Sequence, residues 1–161
     1  MPYIEVDVAA QWLRLYERER GRVIWESAVA TAKNGVGERY GSYQTPRGLH
    51  VVRAKIGDGA ARGTVFVGRR PTGEIYSPAL RRLHPQRDWV LTRILWLSGL
   101  TVGENRLGAV DTMRRYIYIH GAPDEDPMGI PSSHGCIKMR NDEVMELFDR
   151  VPPGTRVRII A

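Results

Sequence analysis

Cys136 is the only cysteine in the chain, and two of the four histidines, His120 and His134, stand with it in one stretch, Tyr116 to Met139, which reads YIYIHGAPDEDPMGIPSSHGCIKM. A thiolate attacks carbonyl carbon well and a neutral imidazole can take its proton, so a lone cysteine with histidines nearby is a candidate nucleophile. The competing reading is a buried structural thiol, the usual state of a free cysteine. Gly135 beside Cys136 permits a tight backbone in which the N–H groups of both residues point at one oxyanion. Lys138 and Arg140 make the neighbourhood electropositive, which is expected to favour thiolate over thiol. His120, His134 and Cys136, with Asp124 or Asp126, could also furnish zinc ligands, but their spacing fits no familiar zinc pattern. The reading adopted is thiol chemistry without a metal or other cofactor.

These residues need elements to hold them. Tyr116 to Ile119 is an aromatic and β-branched run that predicts a buried strand with His120 at its end, and the Pro- and acid-rich loop from Ala122 to Pro131 returns the chain to Cys136. Asn141 predicts an N-cap, followed by two acids in the first turn and an apolar face of Val144, Leu147, Phe148 and Val151. Pro152-Pro153-Gly154 ends that helix, and Thr155 to Ile160 reads as a closing strand. Upstream, Tyr3 to Val8 alternates as a half-buried strand. Trp12 to Tyr16 is a second apolar run, with a short helix over Gln11 to Arg20 as the alternative, and Arg22 to Ala32 a third. Lys33 to Gly37 reads as a turn and Thr45-Pro46-Arg47-Gly48 as a tight turn. Leu49 to Ile56, Thr64 to Val67 and Trp89 to Leu97 read as strands, with His50 a satisfied, half-exposed strand histidine. Pro71 to Arg87 is broken by four prolines and glycines, holds a helical turn or two over Ser77 to Leu83, and reads as an irregular lid or binding loop. Arg81 or Arg82 could meet substrate carboxylates from there. His84 receives no role. About eight strands and one main helix (about 141–151) before the last strand predict a mainly β domain, a sandwich or partly closed barrel.

At 161 residues the chain is long enough for one hydrophobic core and too short for two ordinary domains, so residues 1–161 read as a single domain. With 42% hydrophobic and 26% charged residues its composition is that of an ordinary soluble domain. One cysteine forbids an internal disulfide, so packing must carry the fold. A net charge of +6 favours acidic partners. The arginines are scattered, however, and Arg69-Arg70 and Arg81-Arg82 lack aromatic interleaving, so a basic nucleic-acid module rests on charge alone and nucleic acid is not expected as a partner. No window approaches the roughly 18 apolar residues of a membrane helix. Met1 to Val8 has neither a basic n-region nor an apolar h-region, which predicts no signal peptide and a cytoplasmic location, or a periplasmic one if the amino terminus was trimmed. The oligomeric state is left open by the sequence.

His120-Gly121, a loop, then Ser133-His134-Gly135-Cys136-Ile137-Lys138-Met139 resembles the motif of the L,D-transpeptidase (YkuD-type) catalytic domain family, bacterial cysteine enzymes acting on peptidoglycan stem peptides. Thr45-Pro46-Arg47-Gly48 resembles the family's Thr-Pro-x-Gly turn, and Asn141 to Val157 its closing helix and strand, so the likeness covers almost the whole domain. The resemblance implies a β-sandwich with the thiol in a cleft at its edge and Cys136 as nucleophile. It also implies His120 as general base, its ring oriented by a backbone carbonyl such as that of Gly121. His134 takes a supporting catalytic role, Ser133 is expected to hydrogen-bond within the turn and to offer a substrate contact, and Lys138 and Arg140 are expected to contact substrate. Lys138 stands where the family commonly has Arg or Asn, which keeps a cation but loses a planar fork. The implied reaction cleaves the bond between the L-centre of diaminopimelate and a terminal D-Ala. Without a visible export signal, an L,D-carboxypeptidase trimming recycled muropeptides is favoured over a periplasmic cross-linking transpeptidase, and acylation of Cys136 by carbapenems is expected.

Overall fold

A computed structural model describes all residues, 1–161. Ten strands form one hydrogen-bonded sheet: β1 (Tyr3–Asp7), β2 (Trp12–Tyr16), β3 (Val23–Ala28), β4 (Gly48–Ile56), β5 (Thr64–Val67), β6 (Arg70–Ile75), β7 (Val90–Gly99), β8 (Tyr118–Ala122), β9 (Ile137–Arg140) and β10 (Arg156–Ile160). The main path runs β3-β2-β1-β10-β4-β7-β5-β6, and β8 then β9 branch from β7. Ile94 pairs with Ile56 on one side and His120 on the other, while Leu91 pairs with Val65 and Gly121. One edge of the long strand β7 therefore carries β4 and β5 in succession, and the other carries β8. The sheet curls into a half barrel, which is the partly closed form of the mainly β architecture expected from the sequence.

Two helices complete the fold, α1 (Pro78–Leu83) and α2 (Asn141–Arg150). Val144, Leu147 and Phe148 on α2, with Val151 just beyond it, are buried against the sheet and join Leu95, Leu97, Ile119, Ile137 and Met139 in the main core. Removing each such side chain from water contributes about 1.5–3 kcal/mol. Because α2 packs on β7, β8 and β9, this core underlies the two strands that flank the thiol.

Several boundaries differ from expectation. The strand before the loop is Tyr118–Ala122, not Tyr116–Ile119: Tyr116 takes left-handed backbone (φ 56°) as the cap of a short helical turn over Met113–Arg115, so His120 sits in mid-strand. Asn141 does not cap α2. Arg140 holds the cap position without a side-chain bond, while Asn141 is buried in the first turn. Gln11 to Arg20 contains strand β2 and no helix. Pro71 to Arg87 is more regular than expected, because Arg70–Ile75 pairs with β5 as an edge strand, where Pro71 is tolerated. Ser77 caps α1 by accepting the Leu80 N–H. His50 is fully buried, its Nδ1 3.0 Å from the Gly48 carbonyl and its Nε2 3.0 Å from Thr112 Oγ1.

Candidate active site

β8 and β9 run parallel, with Ile119 opposite Ile137, His120 opposite Lys138 and Gly121 opposite Met139. Parallel neighbours require a long connection, which residues 123–136 supply, so the histidine and the cysteine stand at the two sides of one loop. Side chains alternate along a strand. Lys138, and Cys136 two residues before it, therefore face the same way as Tyr118 and His120.

The turn that presents the thiol is braced from three directions. Ala30 and Lys138 exchange two main-chain hydrogen bonds of 2.9 Å, and the N–H groups of Ser132 and Ser133 donate to the Thr31 carbonyl at 2.8 and 2.9 Å. Thr45 Oγ1 donates to the Gly135 carbonyl at 2.9 Å and accepts the Ala32 N–H at 3.0 Å. The Arg115 guanidinium donates to the Gly37 carbonyl, to Ser42 Oγ and to the Gln44 carbonyl. Gly135 has φ +131°, and a Cβ there would lie 3.0 Å from Ile117 Cδ1 and 3.2 Å from the Gln44 carbonyl oxygen, so only glycine fits.

Ser133 is buried, and its hydroxyl is committed inside the turn: it donates to the Cys136 carbonyl at 2.5 Å and accepts the Gly135 N–H at 3.2 Å. The hydrogen bond within the turn expected of Ser133 is therefore present, and it occupies the hydroxyl that a substrate contact would use. It also engages the Gly135 N–H that was expected to face an oxyanion, whereas the Cys136 N–H makes no hydrogen bond within the protein.

Cys136 is part-exposed. Its thiol donates to the Tyr116 carbonyl at 3.3 Å and accepts the Tyr118 N–H at 3.3 Å. Burial pushes the thiol up to about 12. The Tyr118 N–H lowers it, Asp88 adds to the rise, and Arg115 and Lys138 offset only part of it. The expectation that nearby cations make Cys136 a resting thiolate is therefore corrected: desolvation outweighs them. Arg140, expected with Lys138 to act on the thiol, is exposed and 3.7 Å from Glu143, and the second cation that does act is Arg115.

His120 is buried, which lowers its pKa; Asp88 and the Gly121 carbonyl oppose the fall and Lys138 adds to it. Its Nδ1 lies 2.7 Å from the Gly121 carbonyl oxygen. A carbonyl only accepts, so the neutral ring carries its proton on Nδ1 and leaves Nε2 as the base. Gly121 has no room for a side chain, since a Cβ would lie 2.5 Å from Asn141 Oδ1 and 2.7 Å from the Leu91 carbonyl oxygen. Asn141 ties this region together. Its Nδ2 donates to the Ala122 carbonyl at 2.9 Å and to Asp124 at 3.1 Å, and its Oδ1 accepts from Thr92 Oγ1 at 2.6 Å.

His134 is exposed on the ridge between two clefts. One, of about 200 Å³, is lined by Tyr40, Tyr43, Arg114, Arg115 and Tyr116. The other, of about 230 Å³, is lined by Arg81, Asp88 and Lys138 among others. The His134 ring stands edge-on to Tyr43 and its Nδ1 is 3.9 Å from Asp88 Oδ2. Arg81 holds Asp126 at 2.7 Å, and Asp126 lies 3.9 Å from Lys138 Nζ, so this arginine docks α1 on the loop before Cys136. Asp124 is held by Arg62 and Asn141. Both aspartates that would complete a zinc set thus have cationic or amide partners, and no three His, Cys, Asp or Glu side chains converge as metal ligands. Asp88, Arg115 and the Thr45 hydroxyl are the site residues that sequence reasoning missed. A lone acid before Trp89 and one half of an arginine pair give no local signal.

The family described as the YkuD L,D-transpeptidase catalytic domain matches residues 1–159. A Bacillus licheniformis protein named as the L,D-transpeptidase YkuD is 44% identical over 160 residues, which cover 99% of this chain and 66% of that protein. Escherichia coli ErfK/SrfK is 50% identical over 46 residues, 29% of this chain and 15% of its own. Among solved structures, an L,D-transpeptidase from Mycobacterium smegmatis aligns with a TM-score of 0.57 at 18% identity, covering 99% of this chain and 58% of that one. A mutant L,D-transpeptidase from Enterococcus faecium aligns at 0.58 and 21% identity, covering 98% and 49%. The chain thus spans about half the length of these solved structures, whose likeness at such identities is one of fold, and a smaller part of ErfK/SrfK. A family match running through both β8 and β9, and through the segments at Ala30, Thr45 and Arg115 that brace the turn between them, leaves one conclusion: this chain belongs to the YkuD L,D-transpeptidase catalytic domain family.

Proposed function

We propose that the protein is a cysteine acyl-transfer enzyme that acts on peptidoglycan stem tetrapeptides, cleaving the bond between the L-centre of diaminopimelate and the terminal D-Ala. The observation that carries this is the parallel register of β8 and β9, which sets Cys136 and His120 on one face with the histidine proton fixed at Gly121. His120 Nε2 takes the thiol proton as Sγ attacks the carbonyl carbon. The oxyanion that forms is met by the unengaged Cys136 N–H, a donor typically worth about 3 kcal/mol of barrier. The C–N bond then breaks, His120 returns its proton to the departing D-Ala amine, and a thioester remains on Cys136.

With water as acceptor the product is a tripeptide, the L,D-carboxypeptidase outcome suited to muropeptide trimming in the cytoplasm. The second reading, an amine acceptor giving cross-linked stems, is favoured by one observation: two clefts meet at His134, room for a donor and an acceptor. Incubating the protein with tetrapeptide and weighing the products tests both. Release of D-Ala with tripeptide supports hydrolysis, and dimers without tripeptide support transfer. Turnover undiminished in Cys136→Ala would sink the proposal. Carbapenem exposure should add the mass of the opened drug to Cys136, and an unmodified mass would count against the acyl-enzyme.

A further inference from the structure

A cavity of about 470 Å³ opens beside Tyr116 and is lined by Arg53, Trp96, Arg106 and Arg114 among others. Arg114 and Tyr116 line both this cavity and the cleft below His134, so the two spaces adjoin. It is lined by Trp96, whose Nε1–H is spent on the Met113 carbonyl at 3.1 Å and whose ring packs against Tyr116 and Tyr118. The Arg69 guanidinium stacks over Trp96 and Tyr116 at 4.7 and 4.8 Å.

Three further guanidinium groups, from Arg53, Arg106 and Arg114, line the cavity, and none forms an ion pair or a side-chain hydrogen bond within the protein. The one acid present, Asp111, is buried and its carboxylate is occupied by the main-chain N–H groups of Leu107 and Arg114. Arg53 owes its place to a defect in the sheet: the register of β4 on β7 slips between Val52 and Ala54, opposite Leu97 and Trp96. A bulge of this kind re-aims one side chain. Unpaired arginines beside an aromatic lining are a receptor for an anionic group carried on an apolar or planar frame.

We infer that the cavity bounded by Arg53, Arg106 and Trp96 is a second binding site that takes a carboxylate-bearing segment of an acidic peptide, at a distance from the bond that is cut. This rests on the proposed substrate, because the segment is the part of the same peptide beyond the cleft at Tyr116. A phosphate-bearing ligand would present similar anionic chemistry and is separated below by its own probe.

Isothermal titration calorimetry on the Cys136→Ala protein, which binds without turnover, provides the test. The probes are the tetrapeptide with free carboxylates, the same peptide with its glutamyl carboxylate amidated, and inorganic pyrophosphate. The free-acid peptide should lose about tenfold or more in affinity when Arg53→Gln and Arg106→Gln are introduced together. The amidated peptide should bind weakly in both backgrounds and be indifferent to those changes. Equal affinity for the two peptides, or no response to the arginine replacements, overturns the inference. So does pyrophosphate whose binding depends on the two arginines when that of the peptide does not. Circular dichroism of the double variant guards against misfolding, and Trp96→Phe, which keeps a ring but removes the indole, should weaken the free-acid peptide without restoring the amidated one. Arginine-dependent binding in Cys136→Ala, together with a parent protein that forms no thioester with the tetrapeptide, would sink the proposed chemistry alone. Thioester formation with arginine-independent binding would sink this inference alone.

Discussion

At Cys136 the loss of hydration outweighs Arg115 and Lys138, so the thiol rests protonated beside a neutral His120. Under the proposed chemistry the thiolate is then made when substrate arrives rather than stored. Alkylation of the free enzyme by iodoacetamide should accelerate steadily as pH rises past the ordinary thiol value of 9.0 toward about 12. A rate that levels off near neutrality would mean a resting thiolate. His50 gives a separate prediction about stability. Burial lowers it from 6.5 to about 4, so the unfolded chain takes up a proton that the folded chain refuses. Its contribution is whole above 6.5 and is lost as pH falls through about 4, on the order of 3 kcal/mol from this one residue. Urea titrations across that window should show a shallower acid slope for His50→Gln than for the parent. Gly121→Ala drives a methyl into the Leu91 carbonyl and Asn141, and a soluble, cooperatively melting variant with full activity would contradict the packing described for β8.

At the scale of elements, Asn141 is a three-way tie between α2, the end of β8 and the bulge of β7 at Thr92, where φ is +73°. Asn141→Ala leaves the Ala122 carbonyl and Thr92 hydroxyl without this partner, which should cost about 1–3 kcal/mol in denaturant unfolding and lower acylation as well. Thr45→Val should loosen the turn at Gly135 and slow acylation while Thr45→Ser retains it, which single-turnover mass spectrometry reads directly. Much of this scaffold was legible beforehand. Period-two alternation exposed β1, apolar runs between turn residues marked β2, β3, β4, β5, β7 and β10, though β2 only against a helical alternative, and the spacing of Val144, Leu147, Phe148 and Val151 exposed α2. β9 was not, since four residues after a glycine turn carry too short a pattern, although Ile137 and Met139 do alternate with Lys138 and Arg140. The Tyr116 boundary was misplaced because strand-forming residue types occur there in a left-handed cap that only tertiary contacts specify. Asn141 read as a cap because capping is local, whereas its actual partners, Thr92, Ala122 and Asp124, lie in other elements. Cys136 and His120, the pair to which the proposed chemistry is assigned, were legible as residue types. The network of Thr45, Arg115 and Asp88 around them was not, because its members are remote in sequence.

For the whole molecule, the first strand is structurally internal: β1 lies between β2 and β10, parallel to the latter, and buries Ile4 and Val6 completely. Removing residues 1–8 splits the sheet and forfeits about 1.5–3 kcal/mol for each of those side chains, so the truncated chain should show no cooperative melting transition. The connection from β8 to β9 has a different standing. The spacing between the imidazole and the sulfur is set by main-chain pairing of the two strands and by the segment at Ala30, while the stretch from Asp124 to Pro131 lies mostly at the surface. Apart from its two anchors, Asp124 on Arg62 and Asn141 and Asp126 on Arg81, its length and composition are thereby decoupled from that spacing. Evolution, or a protein engineer splicing in a recognition tag, can redraw that outer span to choose a new clientele while the machinery beneath keeps its dimensions.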